Sequence, residues 1–229
     1  MGTFLEFFAG GGMARAGLGP NWKCLFSNDF DPEKAASYST NWGDEELWVG
    51  DVAKVTTADL PGHADLAWAS FPCQDLSLAG AGAGLNGQRS GAFWPFWRLM
   101  TSLGTEGRPP KLVVLENVMG ALSSHNGKDF AAIGIALAEA GYRVGTLAIN
   151  AVKFVPQSRP RLFIVGVHDS IALDDSIVSP RPHPEWHPPV LMEAYQKLPT
   201  RVKNAWVWWR LQTPCERTTT FADLIEDEP

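Results

Sequence analysis

Short apolar runs alternate with segments of helical spacing from residue 3 to about residue 168, and no other feature of the chain constrains its fold as tightly. Residues 3–8 (TFLEFF), 23–28, 64–70 (ADLAWAS), 111–117 (KLVVLEN), 142–150 (YRVGTLAIN) and 161–167 (RLFIVGV) read as buried strands. Between them lie a short helix start at 13–17 and a helix over 31–42, whose first turn holds Asp31, Pro32 and Glu33. Two further helices follow, over 92–103 and over 127–141, the last closed by Gly141. Strand and helix in turn predict an α/β domain, a mostly parallel sheet with helices on both faces and a site at the carboxyl ends of the strands. Beyond His168 the texture changes. SPRPHPEWHPP (179–189) holds five of the seventeen prolines, which predicts an extended connector, and a helical segment near 190–198 and the tryptophan-rich NAWVWWRLQ follow it.

At 229 residues, 45% of them hydrophobic and 19% charged, the chain suits one α/β domain with a small appendage. The expected division is 1–168 for the main domain and 169–229 for connector and appendage. No apolar run approaches the roughly 20 residues that span a bilayer, and no signal-type segment opens the chain, so a cytoplasmic protein with no membrane partner is expected. Cys24, Cys73 and Cys215 are odd in number and widely spaced, which fits reduced thiols. No helical histidine pair flanks a glutamate, and no metal is expected. The net charge of −6 argues against a protein that coats nucleic acid through a basic surface, but leaves a local basic cleft open.

Each expected strand delivers something chemically pointed at its carboxyl end. The first runs into FAGGGMARAG (8–17), a glycine turn that is either a flexible loop or a place where ligand approaches bare backbone. A nicotinamide cofactor would suit the glycines equally well. The second ends in SNDFD, with Asp29 about 20 residues beyond the turn, where a carboxylate takes ribose hydroxyls, and with Phe30 able to stack on an adenine. Gly50-Asp51 precedes the run that leads to SFPCQDLS; ENV (116–118) ends the next, and VPQSRPRLF joins the last pair. Singly, these have bland readings: Cys73 as a core thiol, Glu116 as a salt-bridge partner, Asp29 as a helix-cap neighbour, Arg159 and Arg161 as a solvated face.

In this order they do not stand singly. Pro-Cys-Gln after one strand, Glu-Asn-Val after the next and Gln-x-Arg-x-Arg before the last resemble the C5-cytosine DNA methyltransferase family, from residue 3 to about 168. The resemblance implies a Rossmann-like fold that binds S-adenosyl-L-methionine and releases S-adenosyl-L-homocysteine. Phe8, Ala9, Gly10, Gly12 and Met13 match the block that binds this cofactor. Asp29 and Phe30 match the block that holds ribose and adenine, and Asp51 and Val52 the one that reads the adenine edge; Pro72 adjoins. Two departures are visible: Met13 stands where a second glycine is usual, and Asp29 where glutamate is usual.

The resemblance further implies the chemistry. Cytosine C5 is too weak a nucleophile to be methylated directly, so a thiolate, here Cys73, adds to C6 and makes an enamine. Glu116 neutralises the charge that develops at N3, while Arg161 and, less directly, Arg159 hold the O2 side. Asn117 shapes the pocket. The target base must leave the helix stack, which costs a few kcal/mol. Residues 74–92, rich in glycine and alanine, then read as a loop that closes over the flipped base, with Gln74, Ser77 and Arg89 facing DNA and Gln157 nearby; a surface linker is the plain alternative.

No stretch of 169–229 resembles the family's closing blocks. Three expectations follow: the catalytic part of a split or truncated enzyme whose second polypeptide reads DNA sequence; a short enzyme acting alone on DNA or on an RNA such as tRNA; or a non-catalytic cofactor-binding regulatory homologue. A prokaryotic or phage-like restriction-modification setting fits the first. Trp206, Trp208 and Trp209 read as a satellite core under the appendage or, failing that, as a partner-facing patch.

Overall fold

Seven strands form a single sheet in the computed structural model, which describes residues 1–71 and 91–225. They are β1 (Gly2–Phe7), β2 (Trp22–Asp29), β3 (Leu47–Val49), β4 (Leu66–Ala69), β5 (Leu112–Asn117), β6 (Tyr142–Asn150) and β7 (Pro160–His168), in the spatial order β3-β2-β1-β4-β5-β7-β6. The first five run parallel. β7 is antiparallel to both β5 and β6. The strand order reverses beside β1, so the ends of β1, β2 and β4 open on one crevice, where ligands of open α/β sheets bind.

The helices follow the expected order: α1 (Met13–Leu18), α2 (Pro32–Trp42), α3 (Phe93–Thr105) and α4 (Lys128–Glu139). α2 starts where its sequence says it should, with the Asp31 side chain accepting the Glu33 and Lys34 N–H groups and Pro32 at the first helical position. Phe93, Phe96, Trp97, Met100 and Leu103 recur at helical spacing on α3 and are all buried. They join Leu5, Phe7, Val113, Leu115 and the apolar side of α4 in the main core. On the opposite face Phe4, Cys24 and Leu66 pack with Leu18 of α1.

β3 was not expected; three residues, LWV, are too short for an alternation to show. The segment expected to be an extended connector makes a turn at residues 184–186 instead, because Trp186 within it is an anchor, 1% exposed against Leu147, Val167, Val207 and Trp209. α5 (Pro189–Gln196) and α6 (Thr200–Asn204) follow, and Val202 packs against Gly134 of α4. The chain then pairs with the free edge of β6: Val144 donates to Ala205 O, and Val207 donates to Val144 O, at 2.8 Å each. β8 (Val178–Ser179) and β9 (Trp208–Trp209) form a small antiparallel pair on the same side. Trp209 is buried in a satellite core with Trp186, while Trp206 packs on the main core and Trp208, partly buried, lies against Trp206, Tyr195 and His187. Among the described residues, no helix is long and apolar enough to cross a membrane.

Candidate active site

β1 ends in a backbone that only a purposeful turn explains. Phe8 has φ of 57°, a left-handed conformation rare outside glycine, and Gly10 and Gly12 follow at 56° and 80°. Glycine is needed at the last two for different reasons. Around Gly10 a β-carbon would meet nothing within 4 Å, because the residue borders open space. At Gly12 the same atom would run into the Trp42 indole, whose Nε1 donates to Gly11 O at 3.1 Å. Gly10 therefore gives access, and Gly12 lets α2 lie against the turn.

Asp29, 6% exposed at the end of β2, fastens this turn: its Oδ2 accepts the Gly10 N–H at 2.8 Å and its Oδ1 the Asp31 N–H at 2.9 Å. Each oxygen keeps a lone pair for a ligand hydroxyl. Neighbouring Asn28 donates to Trp48 O and Gly50 O, at 3.1 and 2.9 Å, and so ties the end of β3 to β2. Asp51 then caps the next turn by accepting the Ala53 N–H. Asn28 lies in the same block as Asp29 and Phe30, but its bonds, to carbonyls 20 and 22 residues away, have no local signature in the sequence.

A cleft of about 650 Å³ lies over these strand ends. Phe8, Gly10, Asp29, Phe30, Asp51 and Val52 line it, as do Lys34, Ser70 and Pro95. Its size is that of a cofactor site. Phe30 stands at the rim, 72% exposed, where a flat ring can be laid against it. Three residues expected here are not in its lining. Ala9 is buried and donates its N–H to Asn28 O; Gly12 packs on Trp42; Met13 starts α1 and is 77% exposed. Among the described residues, no three His, Cys, Asp or Glu side chains group as metal ligands.

A second set of polar groups adjoins the cleft at the end of β5. Glu116 Oε1 is 3.4 Å from Arg161 Nε, and its Oε2 accepts the Ser70 hydroxyl at 2.9 Å. Trp68 Nε1 in turn donates to Ser70 Oγ at 2.8 Å. Asn117, 5% exposed, donates to Phe71 O and accepts the Val118 N–H, which holds the chain just before Pro72. Arg159 and Gln157 are exposed on the β6–β7 connection, and the Arg159 backbone N–H is held by Asn150 Oδ1 at 2.8 Å. Pro72, Cys73, Gln74, Ser77 and Arg89 lie outside the described residues. Ser70 opens the SFPCQDLS run and Trp68 precedes it, but neither was given a role there, although strand alternation puts both on the Glu116 face.

Behind the turn, Glu6 of β1 is 1% exposed. Burial pushes its carboxyl up to about 7, against the opposing pull of the Ala14 and Arg15 backbone N–H groups and the Arg15 charge.

The model of the C-5 cytosine-specific DNA methylase family matches residues 2–226, nearly the whole chain. The chain belongs to that family. The chain is 34% identical over 175 residues to the type II methyltransferase M.BsuFI of Bacillus subtilis, covering 76% of this chain and 41% of that protein. It is 36% identical over 177 residues to M.HpaII of Haemophilus parainfluenzae, covering 75% and 48%. The chain thus spans less than half the length of these two relatives. Among solved structures, the Dnmt2 methyltransferase of S. pombe superposes with a TM-score of 0.61 at 20% identity, over 76% of this chain and 53% of that one. A putative DNA modification methyltransferase encoded within an E. coli prophage does so at 0.58 and 20%, over 79% and 51%. At that identity the structures speak for the fold: a mostly parallel, Rossmann-like methyltransferase sheet.

Proposed function

We propose that this chain carries the catalytic machinery that moves a methyl group from S-adenosyl-L-methionine to C5 of a cytosine flipped out of DNA. The observation that carries the reading is the Glu116–Arg161 pair, set at adjoining strand ends beside a cleft whose bare side is Gly10 and whose clamp is Asp29. The residues fit the cofactor. Asp29 offers lone pairs to ribose hydroxyls, Phe30 a face to adenine and Asp51 an acceptor to its amino edge. S-adenosyl-L-methionine supplies the activated methyl group.

In this reading Cys73 adds as thiolate to C6 of the base, forming the C–S bond while the ring electrons move towards N3. Glu116 shares its proton with N3 and so neutralises that charge. Arg161, whose Nε lies 3.4 Å from Glu116 Oε1, restrains that carboxyl and is assigned to the O2 side of the ring; Arg159 acts less directly. After methylation, loss of the C5 proton restores the double bond and expels Cys73. Gln74, Ser77, Arg89 and Gln157 are assigned to DNA, and Met13 to an indirect influence on the glycine turn. Residues 1–168 hold cofactor and catalysis, and 169–229 lead towards target recognition supplied by further polypeptide, in this chain or a second one.

The test is transfer of labelled methyl from the cofactor. Label appears in 5-methylcytosine of DNA and is lost in Glu116→Gln, a group whose removal costs about 100-fold or more in rate. Label found only in tRNA would replace DNA by RNA as substrate. Tight cofactor binding without transfer to either would make the chain a regulatory homologue.

A further inference from the structure

The two oxygens of Glu116 are not equivalent. β4 and β5 are parallel with Trp68 opposite Val114 and Ala69 opposite Leu115, so the next step along both strands sets Ser70 opposite Glu116. Trp68 and Ser70, two residues apart, share the face on which Glu116 stands. The indole N–H is a donor only, and it donates to Ser70 Oγ at 2.8 Å. The single hydroxyl hydrogen of Ser70 is therefore committed to Glu116 Oε2, 2.9 Å away. Trp68 is held in its turn, its ring edge-on to Phe163 at 6.0 Å, and Phe163 pairs with Glu116 across the β5–β7 ladder.

We infer that Ser70, oriented by Trp68, is a positioning residue for Glu116: it occupies Oε2 and leaves Oε1, the oxygen beside Arg161, as the one that holds the shared proton. Oε2 accepts a hydrogen bond and Oε1 carries the hydrogen that passes towards the ring nitrogen and back, so no proton is gained or lost. Ser70 also lines the cofactor cleft, which makes its hydroxyl the direct connection between cleft wall and acid. This inference rests on the proposed methyl transfer, and its test has one readout that needs no turnover.

Three variants separate the hydroxyl from the shape of the side chain. Ser70→Thr keeps the hydroxyl; Ser70→Val has the outline of that threonine without it; Trp68→Phe keeps an aromatic ring against Phe163 and removes the N–H. With single-turnover methyl transfer as the measure, Ser70→Val is expected to be slower by about 10- to 100-fold, Trp68→Phe by about 3- to 10-fold, and Ser70→Thr to stay within about 3-fold of the parent. Cofactor affinity by calorimetry stays within about 3-fold in all three. Without substrate, the Glu116 carboxyl carbon resonance, assigned by its absence from Glu116→Gln, moves in Ser70→Val and stays in Ser70→Thr. Equal rates and resonances for the Val and Thr variants overturn the inference, as does a rate loss that follows cofactor affinity alone. Failure of methyl transfer in the parent, with the resonance still moving in Ser70→Val, counts against the proposed reaction and not against the Ser70–Glu116 contact.

Discussion

At the residue scale, the polar groups that the chain buries are the informative ones. Glu6 lies in the middle of an apolar strand, and its carboxyl is held at about 7 in the folded protein against an ordinary value of 4.5. A raised folded value means that the folded state binds the proton more tightly, so stability from this group is full below about 4.5 and declines as pH rises through 7. Burial of Glu6 thus costs up to about 3 kcal/mol above pH 7, because each tenfold difference in proton affinity between folded and unfolded chain is worth about 1.4 kcal/mol. Urea unfolding at pH 5 and pH 8 checks this: the parent loses stability between the two relative to Glu6→Gln, whose neutral side chain does not titrate. Parallel behaviour of the two proteins would show that Glu6 is not buried as the structure has it. The buried His187 pulls the other way, since burial lowers its value and its contribution is lost as pH falls below the ordinary 6.5. The Glu6→Gln comparison isolates one from the other.

At the element scale, the strands and helices up to residue 168 were legible because each is long enough to show its period. α3 displays five apolar residues at helical spacing, and β1 and β5 are mostly apolar runs bounded by turn residues. β3 was not legible. Its three residues pair with Ser27, Asn28 and Asp29, and what holds it is the Asn28 amide, a long-range bond with no local signature. The same holds for the appendage, where a proline-rich stretch hides Trp186 as an anchor and a main-chain pairing to Val144 continues the sheet. Glycine in β6 records that pairing: a β-carbon on Gly145 would collide with Val207 O and the Trp209 indole. Gly145→Ala is expected to cost about 1–3 kcal/mol by overpacking. Gly104, inside α3 with nothing within 4 Å of its would-be β-carbon, is the control, and Gly104→Ala gains roughly 0.5–1 kcal/mol. Urea midpoints moving in the same direction for both would contradict the packing of the appendage on β6.

At the scale of the whole molecule, the site is an assembly of strand ends. The cleft draws on the ends of β1, β2 and β3, with Glu116 on β5 and Arg161 on β7, and the sheet order brings them together. That convergence is why Asp29, Asp51, Glu116 and Arg161 could be read from their order along the chain, while the bonds that hold them could not. Ser70, Asn28 and Asn117 act across strands, over separations of 20 to 46 residues. Met13 shows the reverse case: its place in a motif suggested a ligand contact, and in the fold it opens α1, largely exposed and outside the cleft's lining.

In the proposed reaction Cys73 bonds covalently to the cytosine ring while Glu116 serves N3. Duplex DNA of random sequence carrying 5-fluorocytosine tests this, because fluorine at C5 cannot leave as a proton does and a protein that has added to C6 remains attached. With S-adenosyl-L-methionine present, the parent protein is expected to form a complex with this DNA that survives denaturant, and Cys73→Ala to form none. An equal complex from Cys73→Ala, or none from a parent that binds the cofactor by calorimetry, would contradict it.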